Sequence, residues 1–228
     1  LKIDSRYQNA DYPSVQIIDM KEGKNRFSYD FSYKLINAMK ECLQKKEQMI
    51  ILHNRRGFST ICRCQDCGEI LSCKNCSITL TYHENSDLVC HYCSARYPNL
   101  TTCNHCGSSS FHFIGAGTQK IESEIKKLFP NIRIARMDFD TMKSYKNYEK
   151  ILDDFSNYNY DVLLGTQMVS KGLDFHGVTL VGVINGDTSL YIPDFRSGER
   201  TFQLLYQVCG RAGRNNRPSK AIIQSWNP

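Results

Sequence analysis

The sequence predicts an α/β fold with a parallel sheet that is interrupted by a small, irregular cysteine-rich domain. Short apolar runs alternate with amphipathic stretches of helical length on both sides of residues 61–110, which is typical of β-α-β units. Inside residues 61–110 the alternation stops, and eight of the eleven cysteines are concentrated there. We therefore expect the first part of a sheet lobe at 1–60, an insertion at 61–110 and the remainder of the lobe at 111–228.

Hydrophobic periodicity predicts the individual elements of this fold. Apolar runs of four to six residues predict strands at 15–19, 48–53, 111–114, 132–137, 161–165, 179–184 and 221–225. Amphipathic periodicity predicts helices at 31–46, 119–129, 145–155 and 199–209. Strands that alternate with such helices pair in parallel, so both faces of the sheet should be covered.

Length and composition limit the class of protein. The 228 residues, 41% of them hydrophobic, allow one core of ordinary size and a small satellite core. The longest apolar run, 178–184, is too short to span a bilayer, so no membrane segment is expected. The chain begins at Leu1, so we expect a piece of a longer polypeptide. The formal charge of +6 would fall to about +2 with two four-thiolate zinc sites, so charge alone is a weak argument for nucleic acid.

Four CxxC pairs predict two structural zinc sites. They are Cys64/Cys67, Cys73/Cys76, Cys90/Cys93 and Cys103/Cys106. Four thiolates leave no coordination position for water, so the metal would support the fold and perform no chemistry. Gly follows the first and fourth pairs and Ser follows the other two, which favours nested pairing. Cross-braced pairing, first with third and second with fourth, stays open.

The clustering of the cysteines favours metal in a reducing cytoplasm over disulfides. The role of the insertion is open between a docking or DNA-contacting surface and a stabilising element. Its Tyr82, Tyr92 and Tyr97, with Lys74 and Arg96, suit base stacking and phosphate contact but could equally pack the small core.

Residues 207–214, QVCGRAGR, follow a helical segment and suggest phosphate chemistry. Arg211 and Arg214, three residues apart on one helical turn, could both point at a phosphate chain, with Gln207 one turn earlier on the same side. Such a cluster can supply a γ-phosphate sensor and an arginine finger. The alternative is a solvated basic turn. Residues 165–175, GTQMVSKGLDF, follow an apolar strand, so their polar side chains are expected at its carboxyl end, where α/β proteins bind ligands.

Two further loops are candidates for phosphate contact. Asn54, Arg55 and Arg56 follow a buried strand, where backbone phosphates could bind, although they could be simple loop residues. The sequence GAGT, which ends at Thr118, precedes a helix but lacks the GKS or GKT of a nucleotide-binding loop. It suits either a DNA-backbone contact or a tight turn.

The motifs together resemble a known family. TxxxxxGxDF followed by QxxGRxGR is similar to motifs V and VI of superfamily 2 helicases, and NRRGF, the four CxxC pairs, GAGT and RMDFDT stand in the order found in the PriA family of bacterial replication-restart helicases. The resemblance implies a RecA-like second lobe. Carried over by motif, the residues beside the nucleotide would be Gly172, Asp174, Arg211 and Arg214, with Arg214 preferred as the finger. Thr166 and Gln167 would bind the DNA backbone or couple it to ATP.

The chain contains neither a GxxxxGK[ST] motif nor a DExH box, so the groups that hold Mg-ATP are expected in an N-terminal lobe. This piece alone should be inactive. The resemblance implies an ATP-dependent 3′-to-5′ DNA helicase of the bacterial cytoplasm that acts at stalled forks, with primosome and single-strand-binding proteins as partners. The alternatives are a non-catalytic zinc-ribbon binding module and a lobe of another superfamily 2 translocase.

Overall fold

The computed structural model describes residues 12–53, 60–76, 78–82, 87–90, 92–98, 102–114, 118–138, 145–170, 175–191, 194–213 and 217–228. In chain order its strands are β1 (Ser14–Asp19), β2 (Gln48–His53), β3 (Thr60–Cys64), β4 (Thr81–Tyr82), β5 (Asp87–Val89), β6 (Arg96–Pro98), β7 (Phe111–Ile114), β8 (Ile134–Met137), β9 (Val162–Gly165), β10 (Val178–Ile184) and β11 (Lys220–Ser225). The helices are α1 (Tyr33–Gln44), α2 (Thr118–Leu128), α3 (Tyr145–Ser156) and α4 (Ser197–Cys209).

Six strands form one parallel sheet in the order β1-β11-β10-β2-β9-β8. The central strands β2 and β10 are buried along their whole length, as expected for near-continuous apolar runs in a parallel sheet. The carboxyl ends of all six strands lie along one edge of the sheet, which we call the carboxyl edge. We call the opposite edge, where the strands begin, the amino edge. The predicted parallel α/β fold is therefore confirmed.

The helices cover the two faces of this sheet. Buried residues of α1 and α2 pack on one face, and residues of α3 and α4 pack on the other. Helix α1 begins where the Ser32 hydroxyl accepts the Leu35 N–H at 3.2 Å, a standard N-cap. It packs closely on β10 because Gly182 has no side chain, and an added Cβ there would lie 2.8 Å from the Leu35 Cδ1. None of the helices in the described ranges is long and apolar enough to cross a membrane.

The cysteine-rich insertion leaves the carboxyl end of β2 and is built on a second sheet, with antiparallel strand order β6-β5-β4-β3-β7. Strand 111–114 forms as predicted. It pairs with β3, however, so it lies in this second sheet instead of opening the remainder of the lobe. The strands that enter and leave an insertion start close together, and antiparallel pairing satisfies their backbone groups. The predicted domain boundaries themselves stay a prediction.

Candidate functional site

The cysteines of the four CxxC pairs gather into two groups of four. The groups, here called site 1 and site 2, are Cys64, Cys67, Cys103 and Cys106, and Cys73, Cys76, Cys90 and Cys93, and within each the sulfur atoms all lie within 4.8 Å of one another. This grouping is the nested one. The Sγ–Sγ distance is 3.6 Å for both Cys64–Cys106 and Cys73–Cys93. Tetrahedral zinc with Zn–S bonds of about 2.3 Å places its sulfurs about 3.8 Å apart, so the donor sets fit structural zinc.

The CxxCG turns of site 1 explain how its knuckles form. Gly68 and Gly107 have φ values of 77° and 74°, in the left-handed region that glycine adopts without strain. Their N–H groups donate to the carbonyls of Cys64 and Cys103 at 3.1 and 2.8 Å. In each turn, the glycine that follows the CxxC pair is therefore hydrogen-bonded back to the first cysteine of the pair.

Within each site the pKa values of the thiols are shifted in opposite directions. Burial opposes ionisation of Cys64, but hydrogen bonds from amides of its own turn and from the thiols of Cys106 and Cys67 together lower the pKa of Cys64 to about 7. The Tyr97 hydroxyl is the first cause that lowers the pKa of Cys73 to about 6. Burial instead raises the pKa of Cys42 to about 11. In the same tetrads, however, burial raises the pKa of Cys67 to about 12 and the hydrogen bond with Cys93 raises that of Cys76 to about 12. The fit to zinc therefore rests on the positions of the sulfur atoms and not on these pKa values.

The segment 165–175 runs between the two edges of the parallel sheet. Thr166 and Gln167, both half-buried, lie at the carboxyl edge directly after β9, and the Thr166 N–H donates to the Met137 carbonyl at 3.3 Å. A 3-10 helix, Gln167–Ser170, follows. The chain then reaches the amino end of β10. The sequence predicted the polar side chains of this segment at the carboxyl edge, but the segment is not confined to that edge. Gly172 and Asp174 lie outside the described residues.

The predicted helical turn carrying two arginines is wrong. Helix α4 ends at Cys209, before Arg211, and Gly213 has a φ of 80° that no helix continues through. Arg211 is half-buried in the turn, Gln207 is exposed on α4, and Arg214 lies outside the described residues. Because α4 joins β10 to its parallel neighbour β11, it runs from the carboxyl to the amino edge.

Arg211 therefore lies at the amino edge, beside the end of segment 165–175. The Gly213 N–H donates to the carbonyl of Val178, the first residue of β10, at 3.3 Å. The structure thus brings the turn after α4 beside the start of β10, three residues after segment 165–175, while Thr166 and Gln167 follow the carboxyl end of β9.

Three predicted DNA contacts, Asn54, Arg55 and Arg56, lie outside the described residues. Thr118 is 3% exposed, and its hydroxyl donates to the Asp138 carboxylate. The side chain of Thr118 therefore faces inward. In the part of the chain that is described, Asp138 belongs to no group that could hold a metal.

A buried cluster that the sequence did not reveal joins the insertion to the parallel sheet. Arg63, on β3, is 0% exposed and its Nη2 lies 3.4 Å from a carboxylate oxygen of Asp187, which follows β10. Its guanidinium carbon lies 5.6 and 5.3 Å from the ring centres of Tyr191 and Trp226. Asp187 also accepts the Tyr191 hydroxyl at 2.9 Å and the backbone N–H of Trp226 at 3.3 Å. The only sequence signal was a charged residue between two cysteines in a strand.

Aromatic stacking extends this junction. The Tyr29 ring stacks on His112 of β7 at 3.7 Å and on Trp226 at 4.8 Å between ring centres. Burial raises the pKa of Tyr29 above its usual range. Burial, followed by the charge of Lys120, lowers the pKa of His112 to about 4. The insertion is thus held at the carboxyl edge by the neutral side chains of Tyr29 and His112 and by the buried Arg63–Asp187 ion pair.

Comparison with known proteins agrees with this arrangement. The PriA DNA helicase Cys-rich region (CRR) domain matches residues 73–98. Replication restart protein PriA of Bacillus subtilis is 45% identical over 230 residues, which cover 100% of this chain and 29% of that protein. Replication restart protein PriA of Synechocystis sp. is 41% identical over 234 residues, covering 100% and 28%. The chain therefore spans less than a third of the length of these relatives.

Among solved structures, the Hef helicase domain of Pyrococcus furiosus is 20% identical with a TM-score of 0.40, covering 84% of this chain and 25% of that one. The helicase conserved C-terminal domain matches residues 101–216, which is 116 of the 228 residues. The chain therefore belongs to the helicase conserved C-terminal domain family and carries a PriA-type Cys-rich region as an insertion.

Proposed function

We propose that this chain is the C-terminal motor part of an ATP-dependent 3′-to-5′ superfamily 2 DNA helicase of replication restart. The family membership, the two cysteine tetrads and the name of its relatives support this proposal. The whole protein would work in the bacterial cytoplasm on branched or single-stranded DNA, with primosome and single-strand-binding proteins. Its N-terminal lobe would hold Mg-ATP, and the chain alone would be inactive.

In this proposal the amino edge faces the nucleotide. The observation that carries it is the hydrogen bond from Gly213 to Val178, because it keeps the end of α4 beside the end of segment 165–175. The residues that would serve the nucleotide are Gly172, Asp174, Gln207, Arg211 and Arg214. Arg214 would act as the finger that neutralises charge on the transferred phosphoryl group, and Arg211 would sense the γ-phosphate.

The carboxyl edge would carry the DNA. Thr166 and Gln167 lie there, on the edge from which the insertion also extends, and short polar side chains are common partners of phosphate oxygens. Asn54, Arg55 and Arg56 would add contacts from the loop after β2. Thr118 was a further candidate, but its buried hydroxyl favours a role in positioning Asp138 over a direct contact.

The two tetrads would each hold one structural zinc ion. All four places around each ion would be filled by sulfur, so zinc would stabilise the insertion and leave no position for substrate.

The decisive test is DNA-stimulated ATP hydrolysis by the full-length protein after Arg214→Ala. Removing an arginine finger should lower the rate by about 10³-fold or more while zinc content and DNA affinity are retained. Arg217→Ala is the matched control, because Arg217 is exposed three residues further on and should leave the rate unchanged. A rate that Arg214→Ala leaves intact would reject the finger.

The competing function is a non-catalytic zinc-ribbon binding module, which the tetrads alone would support. Under that alternative, DNA binding would depend on zinc and would be indifferent to changes at Thr166, Gln167 and both motif arginines. Loss of DNA affinity in Thr166→Ala or Gln167→Ala with zinc retained would contradict it.

A further inference from the structure

Tyr97 makes a polar contact that sets site 2 apart from site 1. Its hydroxyl oxygen lies 3.2 Å from the Cys73 Sγ and accepts the Lys74 N–H at 3.1 Å. Its ring is half-buried against the small core of the insertion, and its backbone pairs with Leu88 on β5. Packing and strand register therefore hold the hydroxyl against the sulfur.

The direction of this hydrogen bond follows from the chemistry of the two partners. A cysteine sulfur bound to zinc has no proton, so it can only accept. The Tyr97 oxygen already accepts the Lys74 N–H, and its remaining proton is free to point at Cys73. The hydroxyl thus bridges the backbone of the Cys73 turn and the sulfur of that same turn.

The backbone support of the first cysteine is the same in both sites. Cys64 receives the amides of Asp66 and Cys67, and Cys73 receives those two and three residues further on as well. Among the described residues of the insertion, the Tyr97 hydroxyl contacts the Cys73 sulfur, and no side-chain hydroxyl contacts the Cys64 sulfur. A hydroxyl hydrogen bond to the first cysteine is therefore a contact that distinguishes site 2 from site 1.

We infer that Tyr97 is a positioning residue of site 2, whose hydroxyl donates to the Cys73 thiolate and makes the metal of that site the more slowly exchanged of the two. The inference rests on the proposal that the tetrads hold zinc. Four thiolates around one zinc leave a net charge of about −2, and each hydrogen bond to sulfur offsets part of it. A sulfur so bonded is a weaker nucleophile and a poorer site for the proton or oxidant that releases metal. Such outer contacts also fix the orientation of the ligand.

The test compares zinc release from intact wild-type protein with that from Tyr97→Phe. The ring and its packing remain, and only the hydroxyl is lost. With a chelating zinc indicator in excess, we expect one of two zinc ions to leave about tenfold faster in the variant, while the other leaves at the wild-type rate. Tyr92→Phe is the control. Because Tyr92 is 79% exposed, loss of its hydroxyl should change neither release rate.

Two further readouts separate positioning from general damage. Alkylation during release, followed by peptide mapping, should find Cys73, Cys76, Cys90 and Cys93 labelled early in Tyr97→Phe. In the Co²⁺-substituted protein, the sulfur-to-metal charge-transfer band of one site should shift in Tyr97→Phe and not in Tyr92→Phe.

Three outcomes would overturn the inference. Fewer than two zinc ions in the wild-type protein would reject the zinc sites and the role of Tyr97 with them. Two zinc ions with release unchanged by Tyr97→Phe would reject only the role of Tyr97. If Tyr97→Phe accelerated zinc release from both tetrads equally, the hydroxyl would stabilise the whole insertion and would have no specific role at site 2.

Discussion

The buried Arg63–Asp187 pair should contribute strongly to stability, and Asp187→Asn tests it. The side chains are 0% and 2% exposed, and the N–O distance is 3.4 Å. With an effective dielectric constant of about 20, two unit charges at that distance attract by about 5 kcal/mol. An amide keeps the shape of the carboxylate and can accept one hydrogen bond, but it leaves Arg63 charged and buried. We expect a loss of about 3–5 kcal/mol in the free energy of unfolding.

Urea unfolding followed by fluorescence suits this measurement because Trp226 is the single tryptophan and lies in the junction. Arg63→Met and the double variant complete a mutant cycle. The double variant should be less destabilised than the sum of the single changes, since no charge is left unpaired.

The Lys220–Glu41 pair provides the control. Its N–O distance is shorter, 2.7 Å, but the side chains are 51% and 54% exposed, so Glu41→Gln should change stability little. Burial, and not the N–O distance, therefore determines which of the two ion pairs contributes more to stability. Equal effects of Asp187→Asn and Glu41→Gln, or a loss below about 1 kcal/mol for Asp187→Asn, would refute the reasoning.

Three more predictions concern the core and the junction. Burial and the charge of Lys120 lower the pKa of His112 to about 4, so between about pH 6.5 and 4 the unfolded chain binds a proton at His112 that the folded chain does not. The free energy of unfolding should therefore fall as the pH drops through this range. His112→Phe should flatten this part of the dependence of unfolding free energy on pH. The buried Cys42, with its pKa raised to about 11, should resist iodoacetamide at pH 8 in the native chain and react on unfolding, as mass spectrometry would record. In Gly182→Ala the new methyl group meets side-chain carbons at 2.7 and 2.8 Å, so thermal unfolding should reveal a loss of about 1–3 kcal/mol, whereas Gly198→Ala, with nothing within 4 Å, should reveal none.

Much of the fold was predictable because the signals are local. A run such as 178–184 has no polar side chain to expose apart from Thr179, so burial on both faces and parallel pairing follow from the sequence alone. The nested cysteine grouping was likewise favoured by the single residue after each pair. In site 1 the reason is physical, because Gly68 and Gly107 adopt the left-handed conformation that closes the turn.

The rest depended on tertiary contacts that periodicity does not encode. Strands β4, β5 and β6 have two or three residues, too few for an alternating pattern. The sequence suggested a helical turn at Arg211, but the turn there is set by Gly213 and by its hydrogen bond to Val178, 35 residues earlier in the chain. The partner of Arg63 lies 124 residues away, which no local pattern reveals.

The junction cluster bears on how the two edges of the sheet are connected. Asp187, which pairs with Arg63 of the insertion, directly precedes a 3-10 helix, Thr188–Tyr191, that packs against α4. Helix α4 then crosses the whole sheet and ends next to Arg211 at the amino edge. The path from the insertion to the arginine-bearing turn therefore consists of one ion pair, the 3-10 helix and α4. Contiguous packed elements of this kind can carry coupling between distant sites, so we predict that weakening the junction affects the turn that carries Arg211. The variant that weakens the junction, Asp187→Asn, tests in the full-length protein whether the insertion is coupled to the amino edge, which we propose faces the nucleotide.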